Sequence, residues 1–423
     1  MRIQHHLTIQ RQQTSSADPQ KVAEILADVQ QHGDAALTKW TQLLDRGIPP
    51  AWTVPPEVLR EAWESLPRED QRALEHAARN IRKFAEMQKN SLQPAEIEME
   101  PGVWTGQRVV PVERAACYVP GGRYPLPSTV LMTVIPALVA GVQEVMVLTP
   151  PQHNQSAQNQ WPNRYILAAA HLAGATHVHA VGGAQAIAAA AHGTQSVQAV
   201  DLIVGPGNAW VTEAKRQVYG IVGIDALAGP SEVMVLCDET ADPATVAADL
   251  LAQAEHDPDA EAIAVTTDRH FAEQLQREVA LQLAELPTRE IAEKSLEAHG
   301  VIVLVENRQQ MADLANQRAP EHLEIVTKDP LELAEMCTNY GGLFIGHDAA
   351  EVLGDYCAGP SHVLPTGRAG RYTGGLSALT FLKVLTTQRA DPGRAHGLAQ
   401  TAAHLARIEG LEAHARAADR RRH

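Results

Sequence analysis

The stretch Ile224-Asp225-Ala226-Leu227-Ala228-Gly229-Pro230-Ser231-Glu232 leads directly into a short apolar run of strand length. Asp242-Pro243 then predicts the start of a helix, because Asp caps free backbone amides and Pro suits the first helical position. On that helix Gln253 and His256 are three residues apart, so their side chains leave from the same face. A loop, a strand and a helix with two polar side chains on one face thus lie close together in the sequence.

The composition excludes several classes of protein. The 423 residues are 45% hydrophobic and 20% charged, as expected for a soluble globular chain of two or three domains. Fifty acidic and 35 basic residues give a net charge of −15, which argues against nucleic acid as a partner. The four cysteines are widely spaced, and the N-terminus lacks a long apolar segment. We therefore expect a cytoplasmic protein that neither spans a membrane nor carries disulfides.

Strands alternate with helices over residues 116–230, a pattern typical of a parallel sheet with helices on its faces. Three of the four predicted strands end in a Gly-rich turn, at Gly121-Gly122, Gly182-Gly183 and Gly205-Pro206-Gly207. Backbone amides before a helix can hold a phosphate, so the three turns together predict a dinucleotide site. No G-x-G-x-x-G follows these strands, so the usual Rossmann fingerprint is absent. The Gln- and Asn-rich insertion at 153–164 predicts a surface loop.

The remaining segments complete the predicted architecture. Residues 1–18 form an N-terminal arm, residues 19–115 are mostly helical, and a second α/β region runs over 231–375. Because residues 19–115 are too helical to stand alone, we expect them to pack on this second region, with 116–230 inserted between the two halves. Residues 376–423 form a helical tail whose apolar side needs a partner surface. The predicted fold class is α/β, with two Rossmann-like doubly wound parallel-sheet domains, one inserted in the other, and a small helical C-terminal tail.

Polar residues from distant segments suit metal and acid/base chemistry. Gln253 and His256 can ligate a metal, although a His near a helix C-terminus also simply complements the helix dipole. Glu321-His322 can form an acid/base pair, because His titrates near neutrality and Glu can orient it. Gln253, His256, Asp355 and His414 together offer nitrogen and oxygen ligands of the kind that zinc accepts. Each residue taken singly also has an ordinary role as a surface or core residue.

Seven short motifs occur along the chain. They are Tyr118-Val119-Pro120-Gly121-Gly122, Gly182-Gly183-Ala184-Gln185, Gly205-Pro206-Gly207-Asn208, the 224–232 stretch, Glu321-His322, Gly354-Asp355-Tyr356, and Glu409-Gly410-Leu411 with Ala413-His414. Together they resemble the motifs of the histidinol dehydrogenase family. The resemblance implies a homodimer that oxidises L-histidinol through L-histidinal to L-histidine, the last two steps of histidine biosynthesis. It also implies two NAD⁺ used in succession and one Zn²⁺ per subunit.

The resemblance further implies roles for individual residues. His322 would take the alcohol proton, and Glu321 would help to activate the water that attacks the aldehyde. The implied zinc ligands are Gln253, His256, Asp355 and His414. The implied substrate contacts are Ser231, Gln253, His256, His322, Asp355, His362, Glu409 and His414, and the implied NAD⁺ contacts are Tyr118, Gln185 and Asn208. The family's C-terminal tail crosses to the other subunit, so Glu409 and His414 would serve the neighbour's site.

Three other functions fit part of the pattern. A relative that oxidises another small alcohol, such as a sulfonated diol, would need a basic residue against its substrate, whereas Glu409 favours histidinol. A zinc hydrolase without NAD⁺ would leave the three Gly-rich turns unexplained. A non-catalytic dinucleotide-binding protein would leave the predicted zinc ligands and Glu321-His322 without a role.

Overall fold

A computed structural model describes residues 1–9, 17–45, 47–121, 124–152 and 161–422. Gly122 and most of the predicted 153–164 loop lie outside the described residues. The strands are β1 Arg2–Gln4, β2 Ala95–Glu100, β3 Val103–Pro111, β4 Arg114–Tyr118, β5 Glu144–Thr149, β6 His177–Ala180, β7 Leu202–Val204, β8 Gly223–Ile224, β9 Glu232–Cys237, β10 Glu261–Thr266, β11 Val301–Leu304, β12 His322–Val326, β13 Gly342–Ile345 and β14 Leu382–Ala390. The helices are α1 Pro19–His32, α2 Asp34–Leu44, α3 Pro56–Glu64, α4 Arg68–Asn90, α5 Pro127–Ala140, α6 Arg164–Ala173, α7 Gly183–His192, α8 Ala209–Val218, α9 Pro243–Ala254, α10 Arg269–Glu285, α11 Arg289–His299, α12 Arg308–Arg318, α13 Pro330–Met336, α14 Glu351–Tyr356, α15 His396–Ile408 and α16 Glu412–Asp419.

A five-stranded parallel sheet has the order β6-β5-β4-β7-β8. Successive side chains of a strand point to opposite faces. Ala115 and Cys117 accordingly pack with α5 and α6 on one face, while Ala116 and Tyr118 pack with α7 and α8 on the other. The sheet is therefore doubly wound. Its strand order reverses between β4 and β7, which is where ligands bind in sheets of this kind.

The four N-terminal helices cover this five-stranded sheet. Helix α1 packs on α7 and α8, α2 on α7, α3 on α6, and α4 on α5. The expectation that residues 19–115 pack on the second region, over 231–375, is therefore wrong. The apolar stripes of these helices are visible in the sequence, but a stripe does not specify which surface it will cover. The Ala-rich α7 and the almost wholly apolar α5 are the surfaces that needed covering.

A six-stranded parallel sheet has the order β1-β11-β10-β9-β12-β13. In β9, Val233 and Val235 pack towards α9, α10 and α11, whereas Met234 and Leu236 pack towards α12 and α13. Part of the N-terminal arm is the edge strand β1, which pairs with β11. Two parallel sheets with helices on both faces, and a helical C-terminal end, confirm the predicted fold class.

The C-terminal tail lies mostly at the surface. Strand β14 joins β3 and β2 in an antiparallel sheet of three strands, and α15 packs on α16. Leu405 and Ile408 are exposed on α15, and Leu411 is exposed in the turn between the two helices. The tail therefore offers apolar surface that the described part of its own chain leaves open. Among the described residues no helix has the length and apolar character needed to cross a bilayer.

Candidate active site

A cavity of about 710 Å³ lies between the two parallel sheets. The turns after β4, β6 and β7 reach it from the carboxyl edge of the five-stranded sheet, and the residues that open β9 and β12 reach it from the amino edge of the six-stranded sheet. Ten predicted site residues line it: Tyr118, Gln185, Asn208, Ser231, Gln253, His256, Glu321, His322, Asp355 and His362. Segments far apart in the sequence thus meet at one place.

The Glu321-His322 pair is buried at the start of β12. His322 Nδ1 lies 3.1 Å from the backbone oxygen of Glu232, which can only accept, so the proton sits on Nδ1. Nε2 lies 3.3 Å from Asp355 Oδ1 and makes no hydrogen bond. Glu321 Oε2 accepts from the Glu232 amide at 3.0 Å. The backbone of β9 therefore orients both members of the pair and leaves Nε2 available.

Acidic side chains set the electrostatics of this end of the cavity. Burial opposes the charged form of His322, but the carboxylates of Glu351, Glu321 and Asp355 raise its pKa well above the ordinary value. Burial raises the pKa of the Glu321 carboxyl to about 8. Several carboxylates around one point repel one another, and a cation held among them relieves that repulsion. The site is therefore suited to a positively charged ligand.

A cluster of potential metal ligands lies beside the pair. One ligand atom from each of His256, Glu351 and Asp355 falls within 4.8 Å of the others. Gln253 is fully buried, yet neither atom of its amide has a hydrogen-bond partner. Asp355 Oδ1 and Glu351 Oε2 are also unsatisfied. Buried polar atoms without partners are destabilising, so the unsatisfied oxygens of Gln253, Asp355 and Glu351 fit a bound metal ion that would satisfy them.

Glu351 is a residue that the sequence interpretation missed. The Gly354-Asp355-Tyr356 motif belongs to helix α14, which runs over Glu351–Tyr356. Residues four apart on a helix share a face, so Glu351 and Asp355 both point into the cavity. The spacing of the two carboxylates was the available signal. A smaller difference concerns α9, which ends at Ala254, so that His256 follows in the turn after the helix.

His362 is held by the protein at both ring nitrogens. Its Nδ1 lies 3.0 Å from the backbone oxygen of Asp355, and its Nε2 lies 2.9 Å from Thr129 Oγ1. The ring therefore donates from Nδ1 and accepts from the hydroxyl at Nε2. His362 lines the cavity in a fixed orientation, and its predicted contact with substrate stays a prediction.

The predicted NAD⁺ contacts have structural partners of their own. The Gly183 amide donates to the Tyr118 hydroxyl at 3.0 Å, and the Asn208 side chain caps α8 by accepting from the backbone amides of residues 210 and 211. Gly205 has φ +111°, and a Cβ there would collide with the Tyr118 backbone. The turns therefore bring backbone amides and helix N-termini to the cavity at the point where the sheet order reverses.

The stretch Ile224–Glu232 is anchored to one of these turns. Asp225 Oδ2 accepts from the Gly205 amide at 2.7 Å, and its other oxygen pairs with the buried Lys215. Lys215 also donates to the Gly205 backbone oxygen at 3.0 Å. This pair fixes the turn after β7 against the loop that enters β9, so the two sides of the cavity are held together.

Comparison with known sequences agrees with this arrangement along almost the whole chain. Residues 8–422 match the family described as Histidinol dehydrogenase. The chain belongs to the histidinol dehydrogenase family. As a member of that family it is an enzyme, a dehydrogenase.

Individual members of the histidinol dehydrogenase family are similar over most of their length. A histidinol dehydrogenase of Thermus thermophilus is 47% identical over 401 residues, which cover 95% of this chain and 94% of the relative. One from Parasynechococcus marenigrum is 44% identical, with 98% and 94% covered. The crystal structure of histidinol dehydrogenase from Elizabethkingia anophelis matches with a TM-score of 0.92 at 34% identity, covering 99% of this chain and 96% of that one.

Two residues that the family resemblance placed in the site lie elsewhere in this chain. Glu409 and His414 are exposed on the C-terminal tail, and neither lines the cavity. The structure thus brings ten of the twelve predicted site residues together, and the other two lie on the tail. Their service to a neighbouring subunit stays a prediction.

Proposed function

We propose that this chain is a cytoplasmic, zinc-dependent histidinol dehydrogenase that oxidises L-histidinol through L-histidinal to L-histidine. Two NAD⁺ would each accept one hydride, and the reaction would complete histidine biosynthesis. The observation that supports this most strongly is the single cavity that joins helix N-termini at a sheet reversal to a buried acid/base pair. A dinucleotide and a small polar substrate can meet only where both features share one space.

The residues of this chain divide the proposed chemistry between them. A cation bound among the carboxylates would offset the rise in the pKa of His322 and favour its neutral form. In the first oxidation, neutral His322 accepts the alcohol proton at Nε2 while the carbinol carbon gives its hydride to the nicotinamide. Water then adds to the aldehyde, with Glu321 accepting a proton from it in the ionised form that predominates above about pH 8, and the hydrate gives the second hydride to a second NAD⁺. The carboxylate forms with the release of a further proton. The backbone of Glu232 supports both roles because its amide donates to Glu321 and its carbonyl oxygen accepts from His322.

The ligand cluster is the proposed zinc site. Gln253, His256 and Asp355 would hold the ion, with His414 of a second copy of the chain as the fourth ligand, and Glu351 lies against the same atoms. Protein surroundings partly desolvate the His256 ring and lower its pKa, which favours the neutral form that binds a metal. When bound, zinc would orient the substrate through its amino and imidazole nitrogens.

Charge in the cavity favours histidinol over a sulfonated diol. The lining includes the acidic side chains of Glu321, Glu351, Asp355, Asp257 and Asp45, and no Lys or Arg among the residues that the structure describes. A substrate with an amino group and an imidazole complements this lining, whereas a sulfonate would be repelled. The charge distribution therefore supports the histidinol reaction.

The tail supports the proposal of a homodimer with shared sites. Glu409 and His414 are exposed, and Leu405 and Ile408 expose apolar surface on the same helices. Docking of this tail on the neighbouring subunit would cover the apolar surface and bring both residues to the neighbour's cavity. Each subunit would then complete the site of the other.

Stoichiometry tests the proposed reaction directly. Purified protein loaded with Zn²⁺ and given L-histidinol is expected to form about two NADH per histidinol consumed, because the product is a carboxylate. A chelator should abolish NADH formation, and renewed Zn²⁺ should restore it. A ratio of one would mean that the reaction stops at the aldehyde. No NADH from any histidinol concentration would refute the proposed substrate.

Mixed dimers test the shared site. His322→Ala and His414→Ala homodimers are each expected to be inactive, because each lacks one part of every site. After the two are unfolded together and refolded in equal amounts, half of the dimers carry one intact site, so activity should return to about one quarter of wild type. If His414 served its own subunit, every site would stay defective and no activity would return.

A further inference from the structure

Asp45 is an acidic residue in the cavity for which neither the proposed reaction nor the sequence motifs give a role. It ends helix α2, one of the helices that pack on the five-stranded sheet. Its neighbours in the lining include Leu44 and Ile25 from the same group of helices. Asp45 contacts Gln185, a predicted NAD⁺ contact, and is not part of the candidate metal cluster. It therefore belongs to the dinucleotide side of the cavity.

The atoms around Asp45 are suited to hydrogen-bond donors on a ligand. Asp45 Oδ2 accepts from Gln185 Nε2 at 3.1 Å. Gln185 is fully buried, and its Oε1 has no hydrogen-bond partner. A carboxylate and an unsatisfied amide oxygen thus lie side by side in the cavity wall. Acceptors placed in this way bind a group that presents two adjacent donors, such as the cis-diol of a ribose.

Burial in the cavity wall makes the ionised form of Asp45 energetically unfavourable. Burial raises the pKa of Asp45 to about 6, and the single hydrogen bond from Gln185 offsets this only in part. An acid that is partly desolvated in a cavity, without a basic partner among the residues that the structure describes, is typical of a functional position rather than a stabilising one. An asparagine could keep the bond to Gln185 through its own oxygen, so the charge itself needs an explanation.

We propose that Asp45, together with the Gln185 amide oxygen, binds the adenosine ribose hydroxyls of NAD⁺ and excludes NADP⁺. The inference rests on the proposed use of NAD⁺ and deepens it by assigning the choice between the two dinucleotides. A ribose 2′-hydroxyl donates to the carboxylate. A 2′-phosphate at the same place brings two negative charges against a partly desolvated one, which is strongly repulsive.

Binding of two nucleotides without the nicotinamide tests the inference apart from the reaction. ADP-ribose and its 2′-phosphorylated form are titrated into the full-length protein by calorimetry. Wild type is expected to bind ADP-ribose at least about 100-fold more tightly than the phosphorylated form. In Asp45→Asn this ratio should fall by about tenfold or more, because the phosphorylated form gains affinity when the negative charge is removed.

Glu24→Gln is the matched control. Glu24 lies on the neighbouring helix α1 and is exposed, so the substitution removes one negative charge outside the cavity and should leave the ratio unchanged. An unchanged ratio in Asp45→Asn would overturn the inference, as would an equal loss of affinity for both nucleotides, which would mean that Asp45 only positions Gln185. If wild type bound neither nucleotide, the proposed use of NAD⁺ would fail as well. If wild type bound ADP-ribose and Asp45→Asn kept the wild-type selectivity, the inference about Asp45 would be refuted while the proposed use of NAD⁺ would stand.

Thermal unfolding of the free protein gives an independent readout. The folded state holds the pKa of Asp45 above its ordinary value, so the charged form becomes a destabilising feature as the pH rises through about 6. Asp45→Asn should therefore unfold at a higher temperature than wild type at pH 8, and the difference should shrink at pH 5. A variant that is less stable at pH 8 would mean that the carboxylate is structural, which contradicts the inference.

Discussion

Replacement of Arg318 by methionine is expected to destabilise the protein by about 3–5 kcal/mol, because it leaves buried carboxylates without their counter-charge. The Arg318 side chain is only 5% exposed and lies 2.9 Å from Glu232 Oε1, and it also pairs with Glu261. Glu232 is 1% exposed, so its carboxylate cannot turn to water when the arginine is lost. Methionine keeps much of the side-chain volume, so the fall in the free energy of unfolding comes from the lost charge and not from a new cavity.

Urea denaturation of the full chain measures this loss of stability. Arg308→Met is the matched control, because Arg308 pairs with Glu332 at 3.5 Å on the surface and its removal should change stability by less than about 1 kcal/mol. Adding Glu232→Gln to Arg318→Met should recover part of the loss, since an amide needs no counter-charge. Equal effects of Arg318→Met and Arg308→Met would contradict the account.

The same cluster supports the candidate active site. Glu232 accepts hydrogen bonds from the backbone amides of Gly367 at 2.8 Å and Glu321 at 3.3 Å. Each of these contacts is close to a non-glycine residue in the left-handed backbone region, Ala319 at φ 48° and Arg368 at φ 72°. Such residues are strained unless their surroundings hold them in place. Arg318 and Glu232 therefore help to fix the backbone at Glu321, a member of the acid/base pair, and at Gly367.

The sequence predicted the elements of the fold well because their signals are local. A Gly-rich turn between an apolar run and a helix is written in a few adjacent residues, and the two parallel sheets follow from the alternation of such units. The placement of α1–α4 failed because it depends on which surface is left uncovered after both sheets have formed. No short stretch of the sequence identifies that surface.

At the candidate active site, too, the sequence predicted the residues with local signals and missed those that depend on distant partners. Glu321, His322, Gln253 and His256 were visible as adjacent or evenly spaced residues, and they line the cavity. Glu232 and Asp45 were missed because their importance comes only from partners distant in sequence, Arg318 and Gln185 respectively. Such contacts arise from the tertiary structure, and neither residue type nor spacing predicts them.

His322→Asn is expected to lower kcat by about two to four orders of magnitude, because it removes the group that accepts the alcohol proton. The KM for NAD⁺ should change little, since His322 lies with the metal cluster and the predicted NAD⁺ contacts are on the opposite sheet. Asparagine can still donate to the Glu232 backbone oxygen, so the packing at the start of β12 is retained. Steady-state kinetics on zinc-loaded protein measure both constants.

A comparison with Glu321→Gln separates the two halves of the proposed reaction. If Glu321 serves only the attack of water, this variant should complete the first oxidation and form about one NADH per histidinol, whereas His322→Asn should be slow from the first hydride onwards. His270→Asn, at an exposed position on α10, should keep wild-type activity and stoichiometry. Equal slowing of the first NADH in both site variants would mean that the pair acts as one unit from the start. The shared Glu232 backbone, which holds Glu321 through its amide and His322 through its carbonyl, would then be the structural cause.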